Sequence, residues 1–181
     1  MDEQELIQGC LAGAPASFRR LVELYGGLVM SVALNILGDR QDAEDACQET
    51  FLKVFHNLGR YDGSRDFRAW LVTVACRKSL DLARKKRRRL AFVGGTLSQD
   101  PPAPAGSGRG EASSVLPSRL LEGLSPRERA VLELWAVEEM KPEEIAAAIG
   151  CSPATVRVHL FRARKKVKRL LEKDHEIVPA Y

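Results

Sequence analysis

The sequence has little of what builds a disulfide scaffold, a metal site or a β-sheet. Four cysteines, Cys10, Cys47, Cys76 and Cys151, stand far apart and form no C-x-x-C pair. They read as reduced thiols of an intracellular chain rather than as bridges. Three histidines are present, none near a cysteine in sequence, so the ligand spacings of zinc sites are missing and neither metal nor cofactor is expected. Strand-type alternation is nearly absent. No apolar run looks long enough to span a membrane, and the opening MDEQELIQGC lacks the basic-then-apolar layout of a secretory leader. The expectation is a cytoplasmic protein with no membrane insertion.

Charge is plentiful and unevenly divided. Of 181 residues 29% are charged, with a net of +4, and 45% are hydrophobic, enough for a globular chain. Residues 1–60 carry 9 acidic and 5 basic side chains, so the remainder carries +8. Such a split gives one surface suited to a basic partner and another suited to a polyanion.

Helical periodicity dominates. PASFRRLVELYGGLVMSVALNILG, from Pro15, is rich in Leu and Val and closes on Gly38. Asp39 then caps DRQDAEDACQETFLKVFHNL, whose early acids suit the positive end of a helix dipole. After the polar loop GRYDGSRD, a third helix runs from about Phe67 through six consecutive basic residues, Arg84 to Arg89. Residues 94–114 have the Gly, Pro, Ala and Ser content of a flexible linker. Beyond it, Ser125-Pro126-Arg127-Glu128 has the form of a capping box, KPEEIAAAIG is a short helix ended by Gly150, and SPATVRVHLFRARKKVKRLLEK a long one capped by Ser152. The expected fold class is all-α: two small helical domains joined by a flexible linker, the second a helix-turn-helix.

In the long C-terminal helix Val156, Leu160, Ala163, Val167 and Leu170 recur at spacings of 4, 3, 4 and 3, a single buried stripe. At roughly 100° per residue the opposite face shows Ala154, Arg157, Val158, Phe161, Arg162 and Lys165. A solvated face has no need of Val158 and Phe161, whereas arginine reads guanine edges and an apolar side chain suits a thymine methyl. Lys166, Lys168 and Arg169 are placed for phosphates, and His159 lies toward the edge as a surface histidine.

In the acidic helix the apolar set is Ala43, Cys47, Phe51, Val54 and Leu58, with Asp42, Asp45, Glu49 and Leu52 opposite. That row reads as a solvated face, as the metal ligands of a nuclease, or as a protein contact with Leu52 as apolar anchor. No converging second ligand set stands elsewhere in the chain. The basic run Arg84–Arg89 is open to three readings of its own: a solvated tail, a targeting signal or a wall of a nucleic-acid site.

Taken in order, these parts resemble a sigma factor of bacterial RNA polymerase, of the short extracytoplasmic-function (ECF) type. DAEDACQETFLKVF is similar to the family's core-polymerase-binding helix, D-A-E-D-x-x-Q-E-x-F. FRAWLVTVACRKSLDLARKKRRR resembles its promoter-melting helix, and LSPRERAVLEL with PEEIAAAIGCSPATVRVHLFRARKKV its −35-binding domain. The resemblance implies a non-enzymatic protein with region 2 over 1–92, a linker over 93–115 and region 4 over 116–181. It implies that Asp42, Asp45, Gln48, Glu49 and Leu52 dock on core RNA polymerase. Asp62, Ser64, Arg65, Arg77 and Asp81 would lie near a flipped base of the −10 element, with Arg84, Lys85, Arg87 and Arg88 on phosphates. Phe67, Trp70, Leu71 and Val74 would be scaffold. Thr155, Arg157, Val158, Phe161, Arg162 and Lys165 would read the −35 element. Implied partners are core polymerase, promoter DNA and an anti-sigma factor. Where the family often has Asn in A-R-N-x-x-x-D, the chain reads ACRKSLD with Arg77 at the Asn position, and between Asp45 and Gln48 a position that is commonly aliphatic holds Cys47. The rival reading is a helix-turn-helix regulator that acts on duplex DNA without polymerase.

Overall fold

Pro15 and Gly38 bound the central helix as the sequence predicts: Pro15 occupies its first turn, and Gly38, at φ 70°, donates its N–H to the Leu34 carbonyl at 2.8 Å. The computed structural model describes residues 3–63, 66–94 and 117–176. Among these the elements are α1 (Glu3–Leu11), α2 (Pro15–Leu37), α3 (Arg40–Asn57), a 3₁₀ turn (Leu58–Arg60), α4 (Phe67–Gly94), a second 3₁₀ turn (Ser118–Leu121), α5 (Pro126–Ala136), α6 (Pro142–Ile149) and α7 (Pro153–Glu176). No strand occurs among the described residues. The linker expected over 93–115 falls almost wholly outside them.

Local chemistry sets the helix ends. Asp39 accepts from the Asp42 N–H at 2.9 Å and starts α3. Ser125 and Glu128 form the reciprocal capping box that starts α5, at 3.3 and 2.8 Å. Gly150, at φ 69°, closes α6, and its N–H and that of Cys151 both bond the Ala146 carbonyl at 3.0 Å. A β-carbon at that φ would be strained. Ser152 then accepts from the Thr155 N–H at 3.2 Å and opens α7.

The expectation of no membrane-length apolar run needs correction. α2 is long and apolar enough to cross a membrane, its most apolar 18-residue window having a mean hydropathy of 1.4. The polar Ser31 and Asn35 break the run in sequence without lowering its mean much. Both are buried, as are Leu21, Val29, Val32 and Ile36, because α2 packs against α1, α3, α4 and α5 as the central helix of a core. Phe67 and Leu71 on α4 are also fully buried there, with Trp70 and Val74 half-buried beside them.

That core does not stop at the boundary between the two halves. Ala130, Val131 and Leu134 of α5, Ile145 of α6 and Val156 and Leu160 of α7 belong to the same apolar cluster as Val32, Phe67 and Leu71. α5 lies against α2 and α4, and α6 against α4. A smaller cluster of Leu121, Leu124, Leu132 and Ala163 is internal to the C-terminal half.

Candidate protein and nucleic-acid interfaces

α6, the Gly150 turn and α7 form the helix-turn-helix. Val156 and Ala163 are fully buried and Leu160 nearly so, as their spacing predicts, whereas Val167 and Leu170 of the same stripe are only half-buried. On the far face Arg157, Arg162 and Lys165 are exposed, with Val158 and Phe161 exposed to 47% and 67%. Large apolar side chains held in solvent among cations suit a base-edge contact better than a bare solvated face. Thr155 is half-buried, its hydroxyl 2.9 Å from that of Ser152. Arg157 Nη2 pairs with Glu143 Oε1 at 2.6 Å, which aims its guanidinium across the turn.

Two expectations for α7 fail. His159 is not a surface histidine but is 9% exposed, because α7 packs against both α5 and α6 and so buries a wider arc than one stripe. Lys166 does not stand free for phosphates. Its ammonium donates to Glu128 Oε2 at 2.7 Å and to the Gly123 carbonyl at 3.0 Å, bracing the start of α5. Arg164, unremarked in the sequence, stacks over the Trp135 ring at 5.3 Å.

The acids of α3 divide into two sets. Asp42 pairs with Lys86 and Glu49 with Lys78, the latter at 2.9 Å, so both reach toward α4. The Asp42 hydrogen bond raises the Lys86 pKa, and the Lys78 hydrogen bond lowers that of Glu49. Asp45 and Gln48 instead face solvent, as does Leu52 at 55% exposure. Phe55, also 55% exposed, extends this strip and meets Phe18 edge-on at 5.1 Å. The sequence signal for it was a second apolar residue three positions after Leu52, on the solvent side. Among the described residues no group of three or more His, Cys, Asp or Glu is placed to hold a metal ion.

On α4, Lys85 and Arg88 are exposed, Arg87 half-buried, and Arg84 pairs with Asp81 one turn back. Asp62 is exposed in the loop before α4, while Ser64 and Arg65 lie outside the described residues. Arg77 is turned to α6: its Nη2 donates to the Ala147 carbonyl at 2.7 Å and its Nε to that of Ala148. A cleft of about 170 Å³ opens here, lined by Arg77, Leu80, Asp81, Arg84, Ile149 and Gly150.

Comparison with known proteins decides the family. Residues 21–89 match the model of Sigma-70 region 2 and residues 118–167 that of Sigma-70 region 4. The RNA polymerase sigma factor CnrH of Cupriavidus metallidurans is 30% identical over 175 residues, covering 91% of this chain and 92% of that protein. The chain belongs to the ECF sigma factors of bacterial RNA polymerase. The ECF sigma factor SigW of Bacillus subtilis is 26% identical over 88% of this chain and 91% of its own. Among solved structures, CnrH in complex with the cytosolic domain of CnrY is similar at 27% identity and TM-score 0.55, covering 95% and 98% of the two chains. RpoE in complex with the anti-sigma factor NepR from Bartonella quintana shares the fold, at TM-score 0.61 and 23% identity, covering 86% and 96%. As a sigma factor, the protein binds core RNA polymerase and directs transcription initiation at promoter DNA. The rival reading, a regulator independent of polymerase, is not favoured by these relatives.

Proposed function

We propose that this sigma factor divides its work among three surfaces over region 2 (1–92), a linker (93–115) and region 4 (116–181). The solvent strip of α3, Asp45, Gln48 and Leu52, docks on core polymerase, with Leu52 as apolar anchor and the flanking polar groups setting register. Asp42 and Glu49 contribute at its edge, by exchanging α4 lysines for basic groups of the polymerase. Asp62, Ser64, Arg65, Arg77 and Asp81 meet the opened −10 element, and Arg84, Lys85, Arg87 and Arg88 track its phosphates. Thr155, Arg157, Val158, Phe161, Arg162 and Lys165 read the −35 element in the major groove. The protein works in the cytoplasm, performs no catalysis itself, and is held in check by an anti-sigma protein, as the complexes of its relatives suggest.

The observation that carries this reading is the exposed face of α7, where Val158 and Phe161 stand in solvent among three cations. Its test is promoter-directed transcription. Core polymerase supplemented with this chain should start RNA at a defined set of genomic sites that core alone does not use. The Phe161→Ala, Arg162→Ala double variant should lose those starts. Start sites unchanged by adding the chain would refute the proposal.

A further inference from the structure

α4 extends past the residues matched to Sigma-70 region 2: the match ends at residue 89, and the helix continues to Gly94. On that last turn stands Phe92, 94% exposed, its ring almost wholly in water. One exposed apolar side chain is unremarkable by itself, but the setting of this one is not. At roughly 100° per residue, Lys85, Arg88 and Arg89 lie within about 60° of Phe92 on the same face of α4. All three are exposed. Among the described residues none of these three cations forms an ion pair, whereas Lys78, Arg84 and Lys86 each pair with a carboxylate. Leu90, 65% exposed, lies about 160° away around the helix and takes no part. Three available cations and one open ring thus share about 10 Å of helix, at 1.5 Å per residue.

Nucleic acid complements both parts of this face. Cations along a ridge hold a phosphate backbone, and an exposed ring offers its face to a base. In a duplex each base is covered on both sides by its neighbours, so a ring enters only after a step has been unstacked. An unpaired base has a free face from the start. The two turns from Lys85 to Phe92 match about three nucleotides at 3.4 Å each.

We propose that Phe92 is a stacking platform for an unpaired base of promoter DNA, whose neighbouring phosphates are held by Lys85, Arg88 and Arg89. The platform rests on the proposed phosphate track of α4 for its cations; the ring is a further site at the end of that track. The two kinds of contact act differently. Phosphate contacts release counterions and weaken as salt rises, and a stacked ring does not. Every base has a π-face, so the ring is indifferent to base identity. The contact secures an opened strand of any sequence and adds nothing to promoter choice.

Fluorescence titration of the full chain with a single-stranded oligothymidine of about 12 nucleotides carrying 2-aminopurine tests the platform. Stacking on a ring quenches 2-aminopurine, and thermal melting by circular dichroism follows the fold. Wild type should quench the probe. Phe92→Leu keeps an apolar side chain of good helix propensity and removes the ring. It should lose the quenching and about fivefold or more in affinity, with an unchanged slope of log affinity against log salt. Phe92→Trp should keep both quenching and affinity. A wild type that does not bind the probe, or a Phe92→Leu variant that binds and quenches as wild type does, overturns the platform. So does an equal loss on the annealed duplex, which makes the ring a wedge, or a melting temperature several degrees lower, which makes the chain itself the ring's partner. The Lys85→Ala, Arg88→Ala double variant keeps the underlying reading separate: its salt slope should fall by about two phosphate contacts. A slope that does not fall removes the phosphate track and the platform's cations with it. A slope that falls while Phe92→Leu behaves as wild type removes the platform alone.

Discussion

The side-chain amide of Asn35 on α2 donates to the Glu133 carboxylate on α5 at 3.0 Å, joining residues 98 positions apart across the boundary between regions 2 and 4. Burial pushes the Glu133 carboxyl up to about 7, Glu138 adds to the rise, and the Asn35 hydrogen bond and Arg68 oppose it. Glu138 is raised as well, again by burial, against the pull of Arg68. The groups facing Glu133 are thus Asn35 from α2, Arg68 and the buried thiol Cys76 from α4, and Glu138 from the chain just beyond α5.

The packed state therefore binds a proton that a solvated Glu133 releases near its ordinary value of 4.5. Its full stability is present below that value, falls as pH rises to about 7, and is flat above. The loss is on the order of 3 kcal/mol, at 1.36 kcal/mol per unit. Thermal unfolding across pH 4.5–8 should show this decline, and Glu133→Gln, which keeps an acceptor for Asn35, should flatten it. A wild-type profile already flat over that range contradicts the account.

Phe161 and Arg162 should matter to DNA and not to folding. Each is exposed on α7, so alanine at either site should leave the melting temperature within a degree or two of wild type. Promoter affinity of the holoenzyme should fall by about 1–3 kcal/mol for Arg162→Ala, with relaxed preference at one −35 position. Unchanged affinity in a competition assay would remove α7's exposed face from the −35 assignment.

Lys165 and Lys166 are neighbours with opposite expected behaviour. Lys165→Ala should reduce the slope of log affinity against log salt by about one phosphate contact, at little cost to stability. Lys166→Ala strips the cation from Glu128, whose side chain is 5% exposed, and should destabilise region 4 by about 1–3 kcal/mol in denaturant unfolding. Equal effects of the two on the salt slope would contradict the division.

Much of this arrangement is readable in the sequence because it is local. Pro15, Gly38, Asp39, the Ser125–Glu128 box and Gly150 act on backbone within a few residues, and the α7 stripe is a matter of period alone. α1 is hard to read in the sequence because nine residues make only about two and a half turns, too few for the spacing of the buried Leu6, Ile7 and Cys10 to stand out. The burial of His159 depends on α7 having two neighbours, which no single-helix count can show. The joining of the two halves was invisible for a sharper reason. No local pattern points to the partners of Arg68, Arg77, Arg129 and Glu133, which lie roughly 70 to 98 positions away. Lys78 and Lys86, which take up two of the acids on α3, also pair beyond any local pattern, 29 and 44 positions away.

The central claim is that α3 carries a sigma factor onto polymerase through Asp45 and Leu52. Size-exclusion chromatography of the purified chain with bacterial core RNA polymerase, beside an Asp45→Lys, Leu52→Asp variant of equal helicity, tests it most directly. The account predicts co-elution of wild type with core and a loss of ten-fold or more in affinity for the variant, about 1.4 kcal/mol or greater. A wild type that elutes apart from core, or a variant that binds core as tightly as wild type, contradicts it.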